Sequence, residues 1–517
     1  MQRPSYKFIP RLLIPSLLVA LALIARLVPG PRTIDDAYIT FRYARNILSG
    51  EGFVFNPGQR VMGTTTELYT LLMAGLGALA GGPKADFPWI ALLVNALADA
   101  GTALLLWRIG KKAGFELAGV AAGLAWGIAP FSVTFAIGGL ETSVYVFLLT
   151  LAVWAYLTRR GWLTALAAAL SLLTRPDALI LLGPLAFDWL VRGFRRKEER
   201  VRFRDILIAV LPVAAWLIFA TLYFGSPVPH SVQAKLGAYR LGPEEGLVRL
   251  LQHYATPFLW QNWLPTPLAV GLGMVFFSFL SFVGIFRLVR TESRLAAWAA
   301  YPWLYLIVFA AANPLIFRWY LTPPLPAYFF FIFAGLEDIL RRIAGMRRAL
   351  PARAWLRGLL VLLFFAPMIG GLLSEWRLRL DHGPQRPAPE MAFIKLELLY
   401  RQAAEQIAPR LSGQSVLAAG DVGVLGYYTP ARILDLVGLN SPEALQYYPL
   451  DEKYYAINYA VAPEMILDHQ PDALVILEVY GRLGLLRDER FTSAYALEET
   501  LHTDIYGSQG MLIYWKK

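Results

Sequence analysis

Two adjacent carboxylates, Asp35 and Asp36, follow directly on an apolar run at residues 12–28. They open the segment "AYITFRYARNILSG", in which Tyr38, Phe41 and the Ala44–Arg45 step share one face at helical spacing. An ionised group near hydrocarbon costs about 2.5–3.5 kcal/mol at a helix centre. A carboxylate kept there reads as a general base. The plain alternative is capping, in which an Asp at a helix start accepts backbone N–H groups. Other polar residues sit beside apolar runs in the same way: Glu67, Glu141, Arg175, Asp177, His230, Lys235, Arg318 and Tyr320. Each has a plain reading too. Glu67 and Glu141 suit helix starts, Arg175 and Asp177 suit each other as a pair, and a lone interfacial Lys or Arg snorkels. Two cations and two or three carboxylates converging on one face ask for more than that.

The elements that must position them are membrane helices. The chain is 57% hydrophobic and only 16% charged, against about 25% charged in a soluble domain. Its net charge of +11 comes from Lys and Arg in short segments between apolar runs. That is the pattern of loops that fix topology and not of a nucleic-acid-binding face. With no cysteine, disulfides, thiol catalysis and Cys-ligated metals are excluded. Twelve apolar runs between residues 12 and 374 are candidates for crossing, at about 20 residues per crossing. The first, preceded by basic residues in 1–11, reads as an uncleaved span. Charge removes one run. If 66–82 crossed, Arg108, Lys111, Lys112, Arg195, Arg196, Lys197, Arg341, Arg342, Arg347 and Arg348 would all lie outside. The run 66–82 is therefore expected to be interfacial or re-entrant.

The expected architecture is a polytopic α-helical membrane protein with about eleven transmembrane helices over residues 1–375, carrying an outer loop at 31–87. Its N-terminus is expected on the cytoplasmic side and residues 376–517 outside, as a mixed α/β domain. There "SVLAAGDVGVLGYY", "RILDLVGL", "DALVILEV" and "GMLIYW" read as strands and turns, and 390–408 and 441–469 as helices.

The segments "IDDAYITFRYARNILSGEGFVFNPGQ", "GGLETSVY", "LLTRPDAL", "PVPHSVQAK", "FRWYLTP" and "GDVGVLGYY…ILDLVGLN" occur in one order. In that order the chain resembles membrane glycosyltransferases of the GT-C superfamily, and among them the terminal arabinofuranosyltransferase-like proteins of bacterial cell-envelope assembly. The resemblance runs from residue 12 to about 440. It implies a plasma-membrane enzyme with a polyprenyl-phosphate-linked sugar as donor, a pentofuranose in the first instance. It also implies an inverting transfer to a glycan or lipid hydroxyl on the outer face. Under it the base falls on Asp35 with Asp36 close behind, and a second acid on Glu67. The donor phosphate falls to Arg175, Lys235 or Arg318.

A lipid phosphate leaves readily but needs its charge neutralised, which Arg does through its bidentate fork. A sugar hydroxyl needs a carboxylate to take its proton while oxocarbenium character develops at the anomeric carbon. On this expectation Asp35 is the base. Asp36 orients it, binds the acceptor or, with Asp35, holds a divalent cation such as Mg²⁺ or Mn²⁺. Tyr38 and Tyr320 stack on sugar. A flippase for lipid-linked sugars is the competing reading, though neither inverted repeats nor midplane-broken helices stand out. A non-catalytic glycan-binding scaffold ranks below both, because it has no need of acids against the bilayer.

Overall fold

The computed structural model describes residues 9–197, 200–346, 354–378, 385–392 and 394–517. Residues 1–8 and 347–353, which entered the charge argument, lie outside them. Helices make up the chain as far as Leu373, and a small sheet with flanking helices makes up its C-terminal part.

The expectation of eleven crossings is not met. Among the described residues five helices are long and apolar enough to span: Phe87–Ala113, Phe203–Phe224, Thr266–Thr291, Ser293–Ala312 and Arg318–Ile343. A sixth counts if Glu116–Ile128 and Pro130–Ile137, bent by 47° at their junction, form one broken span. Several apolar runs do form helices, but helices too short to cross. The runs 142–158 and 162–174 yield helices Thr142–Leu157 and Gly161–Thr174, of 16 and 14 residues. At 1.5 Å per residue the shorter rises only about 21 Å, against a hydrocarbon core of about 30 Å. Helix Glu67–Leu79, with 13 residues, is likewise too short to span.

Small residues let these helices approach. A Cβ added to Gly110 would lie 2.8 Å from the Gly119 Cα, and one added to Gly284 would lie 2.8 Å from the Gly335 backbone nitrogen. Such close backbone contact is how helices associate where hydrophobic burial offers little gain. One ion pair is locked inside the bundle. Arg26 Nε donates to Asp99 Oδ2 at 2.9 Å with both side chains fully buried. Ser143 and Trp126 also donate to Asp99, at 2.9 and 3.2 Å. Together they supply the hydrogen bonds a buried charge requires.

The C-terminal sheet has five strands in the spatial order Arg432–Asp435, Val416–Ala419, Ala473–Leu477, Met511–Lys516, Tyr495–Leu501. The first three run parallel and the last two join antiparallel. Helix Lys395–Ile407 lies within the expected 390–408. The expected helix 441–469 does not form. Pro442 and Pro463 each open a short element, giving 3₁₀ turns Pro442–Tyr447 and Glu452–Tyr454 and a helix Pro463–His469. Strand Tyr495–Leu501 was not anticipated. It is an edge strand with a register irregularity between Leu497 and Glu499, and its exposed glutamates hide the alternation.

This sheet does not stand apart from the membrane helices. Phe41, Tyr43 and Phe55 of the first loop share one apolar core with Leu425, Ile433 and Leu434.

Candidate active site

The two leading carboxylates part company in space. Asp35 begins helix Asp35–Leu48, and both its oxygens are taken. Oδ2 accepts from the Gly423 N–H at 2.9 Å and Oδ1 from the Val424 N–H at 2.7 Å. Those amides open helix Gly423–Tyr428 of the C-terminal part. Asp35 thus caps a helix almost four hundred residues away. The approach is close enough that a Cβ on Gly423 would collide with the Asp35 carbonyl oxygen, so the second glycine of "GDVG" is dictated by contact. Burial, and then Asp421, push the Asp35 carboxyl well above its ordinary range, against the pull of the two amides.

Arg42 and Asn56 extend the clamp. Arg42 donates to the carbonyls of Phe55 at 2.8 Å and Ala431 at 3.0 Å, and to that of Gly426. Asn56 exchanges two hydrogen bonds with the Ile433 backbone, at 2.9 and 3.0 Å.

Asp36 instead lines a cavity of about 280 Å³, with Glu141, Arg175, Lys235, Trp319 and Tyr320 around it. Burial raises its pKa and the Lys235 ammonium lowers it, with a net rise. Lys235 is itself raised: Tyr320 and Asp36 outweigh the opposing effect of burial. Arg175 is held rigidly in the wall. Its Nε and Nη2 donate to the two Asp177 oxygens at 3.0 and 3.2 Å, and Nη1 to Glu141 Oε1 at 3.2 Å. Its guanidinium lies 4.7 Å from the Tyr320 ring centre and 5.2 Å from that of Tyr145. Two carboxylates therefore already compensate Arg175. Lys235, on helix His230–Ala238, makes no hydrogen bond or ion pair among the described residues.

Four expected residues lie elsewhere. Tyr38 packs against Tyr427 and Tyr428 at ring distances of 5.1 and 5.5 Å. Glu67 is buried outside the cavity lining, and burial lifts it to about 7. His230 fixes its backbone to the Met62 carbonyl at 2.9 Å but does not line the cavity. Arg318 lines a second, larger cavity.

That second cavity, about 650 Å³, lies where the C-terminal part meets the helices, and it shares Trp319 with the first. Arg318, Glu397, Asp421, Tyr459, Tyr480 and Tyr506 are among its walls. Asp421 accepts from Tyr400 Oη, in a short bond of 2.5 Å, and from Tyr480 Oη at 3.4 Å. Burial lifts Asp421 to about 6, with Asp36 adding to the rise. Burial, and after it Asp421, lift Glu397 to about 7. Sequence reading passed over Asp421, although it sits inside the "GDVG" segment beside a strand end. It also passed over Asp99, an acid in the middle of an apolar run.

Asp35 and Asp36 do not fit a shared cation. Both Asp35 oxygens face N–H donors, and Asp36 faces an ammonium. Among the described residues no group of three or more His, Asp or Glu could hold a metal.

Residues 82–233 match the model of the Alg9-like mannosyltransferase family. Residues 392–514 match a domain of unknown function, DUF8728. The terminal beta-(1->2)-arabinofuranosyltransferase of Mycobacterium tuberculosis is 31% identical over 264 residues, covering 47% of this chain and 40% of that protein. The match thus spans well under half of that curated relative. Among solved structures, ArnT from Cupriavidus metallidurans bound to undecaprenyl phosphate superposes with a TM-score of 0.58 at 12% identity, covering 98% of both chains. The Archaeoglobus fulgidus oligosaccharyltransferase superposes at 0.57 with 11% identity, over 97% of this chain and 73% of that one. The chain is a multi-pass membrane protein of GT-C-like fold with a C-terminal mixed α/β domain, similar over part of its length to a terminal arabinofuranosyltransferase.

Proposed function

We propose that the chain transfers a sugar from a polyprenyl-phosphate donor to a hydroxyl of a cell-envelope glycan or lipid, with inversion at the anomeric carbon. The observation that carries this is one cavity in which a carboxylate not otherwise engaged, Asp36, faces the ammonium of Lys235. The base is Asp36 and not Asp35, because Asp35 spends both oxygens on backbone amides. The acceptor oxygen attacks the anomeric carbon and passes its proton to Asp36 as the new bond forms. The anomeric carbon–phosphate oxygen bond breaks, and its electron pair leaves with the polyprenyl phosphate. Lys235 neutralises the departing charge, while Arg175, fixed by its two acids, shapes the wall beside it.

The acceptor occupies the larger cavity, where tyrosine rings stack on sugar faces and Asp421, Glu397 and Arg318 bond its hydroxyls. An arabinofuranosyl donor is the first candidate, by likeness to the mycobacterial relative. The cavities open on the outer face, with the N-terminus cytoplasmic.

The test is transfer by purified protein from a panel of polyprenyl-phosphate sugars to a mixed glycan acceptor. Asp36→Asn is expected to lose activity by about 10²–10⁴-fold while still binding donor. Retained activity in that variant would remove Asp36 as base. Lipid-sugar movement across vesicles with no new glycosidic bond would replace the reading by a flippase. Because the chain lacks cysteine, orientation can be read from single substitutions. Ser412→Cys is expected to react with an impermeant maleimide outside intact cells, and Arg200→Cys is not.

A further inference from the structure

A third cavity, also charged, lies at the other end of two of the helices. Helix Thr142–Leu157 starts beside Glu141, and helix Gly161–Thr174 ends beside Arg175. The turn joining them is therefore at their far end from Asp36. There a cavity of about 250 Å³ is lined by Arg159, Arg160, Arg200, Arg202, Arg204 and Arg294. These arginines come from three separate parts of the chain: the 158–161 turn, the segment leading into helix Phe203–Phe224 with that helix's first turn, and the turn Ser293–Leu295. The one acid among the described lining residues is Asp205, which is buried and already paired with Arg204 at 3.3 Å. Glu198 and Glu199, next in sequence, lie outside the described residues.

Loops that fix topology need positive charge, but they do not need it gathered around one hollow. Arg204 pairs with Asp205 and Arg160 lies 4.8 Å from the Trp154 ring centre; with Arg200 and Arg202 beside them the hollow still carries an excess of positive charge, which an anion placed there neutralises. The planar fork of Arg suits phosphate. The rim supplies what a free anion would not use. Trp162 is 45% exposed, and Phe194 and Phe203, flanking the arginine segment, are 87% and 73% exposed. Aromatic and apolar surface beside a basic pocket is the setting in which lipid headgroups are held.

We propose that this cavity binds the phosphate headgroup of an anionic phospholipid, at the far end of these two helices from the Asp36 cavity. The arginines grip the phosphate and the exposed aromatic rings lie along the acyl chains. Nothing in this rests on the transfer reaction.

The test uses the full chain, delipidated in neutral detergent and titrated with phosphatidylglycerol, cardiolipin or phosphatidylcholine, with bound lipid counted by native mass spectrometry. The anionic lipids are expected to bind and phosphatidylcholine is not. Arg200→Gln with Arg202→Gln is expected to weaken anionic-lipid binding by about thirtyfold. A charge-matched pair outside the cavity, Lys111→Gln with Lys112→Gln, is expected to change it by less than about threefold. Arg200→Lys with Arg202→Lys keeps the charge and is expected to keep most of the binding, which separates lost charge from lost folding. Equal loss in both Gln pairs would reduce the effect to general electrostatics and overturn the site. So would equal binding of phosphatidylcholine, or full displacement of lipid by equimolar inorganic phosphate.

Discussion

Asp36 and Lys235 respond to each other, and that coupling sets what substitution should do. With its pKa raised by burial and held down by Lys235, Asp36 accepts a proton only while ionised. Activity is expected to fall on acidification at a pH above the ordinary carboxylate range. In Lys235→Gln that acid limb should move to higher pH, because the neutralising ammonium is gone. The same variant is expected to raise KM for the donor by about 10–100-fold, the worth of a charged hydrogen bond. A pH–rate profile beside a donor titration checks both. Lost donor affinity with an unmoved acid limb would mean that Lys235 binds phosphate without tuning the base. The residues of this cavity were legible in the sequence as types beside apolar runs. Their roles were not. Asp35 and Asp36 are adjacent and chemically alike, and only the packing of Gly423 against one of them tells them apart. Arg318 reads like Arg175 in sequence, yet it lines the other cavity because it sits at the start of 3₁₀ turn Arg318–Leu321.

At the scale of elements, the first loop is a platform for the C-terminal part as well as the carrier of the proposed base. Asp35, Arg42 and Asn56 all spend their polar atoms on backbone of the C-terminal part. Asp35→Ala strips two buried amides of their acceptor and is expected to cost about 2–4 kcal/mol. Gly423→Ala is expected to do similar damage by collision. In both, limited proteolysis should release the region after residue 390 at protease levels that leave the parent chain intact. An unchanged digestion pattern would show that the clamp is dispensable. The sequence motif around these residues was visible, but its partner was not. Hydrogen bonds between residues almost four hundred positions apart leave no local period. Helix content was likewise legible, whereas the number of crossings was not, because a run such as 162–174 is apolar throughout and yet forms a helix of only 14 residues.

Across the whole molecule, the interface between helices and sheet carries buried acids whose ionisation opposes folding. Asp421 stands at about 6 in the folded chain against an ordinary 3.8. A raised carboxyl favours the folded state fully below its unfolded value, and that advantage is lost as pH rises through the folded value. Glu397, at about 7, acts in the same direction. Thermal stability is expected to decline between about pH 4 and 7, and Asp421→Asn should flatten that decline while keeping acceptors for Tyr400 and Tyr480. A melting series across this range decides it, and a slope unchanged by the substitution would place the titration elsewhere. The general architecture of apolar helices followed by an α/β unit was readable from composition and strand patterns. That the two share a core was not, since nothing in a strand's alternation says which surface its inner face will meet.

Asp35 and Asp36 are joined by one peptide bond, yet one caps helix Gly423–Tyr428 of the C-terminal part and the other lines the Asp36–Lys235 cavity. The first loop is thus a lever with a very short arm. Any shift of helix Gly423–Tyr428 is passed to the neighbouring carboxylate with almost no chain between them to absorb it. The position of the proposed base is thereby tied to the seating of the C-terminal part, so that loosening one is expected to displace the other.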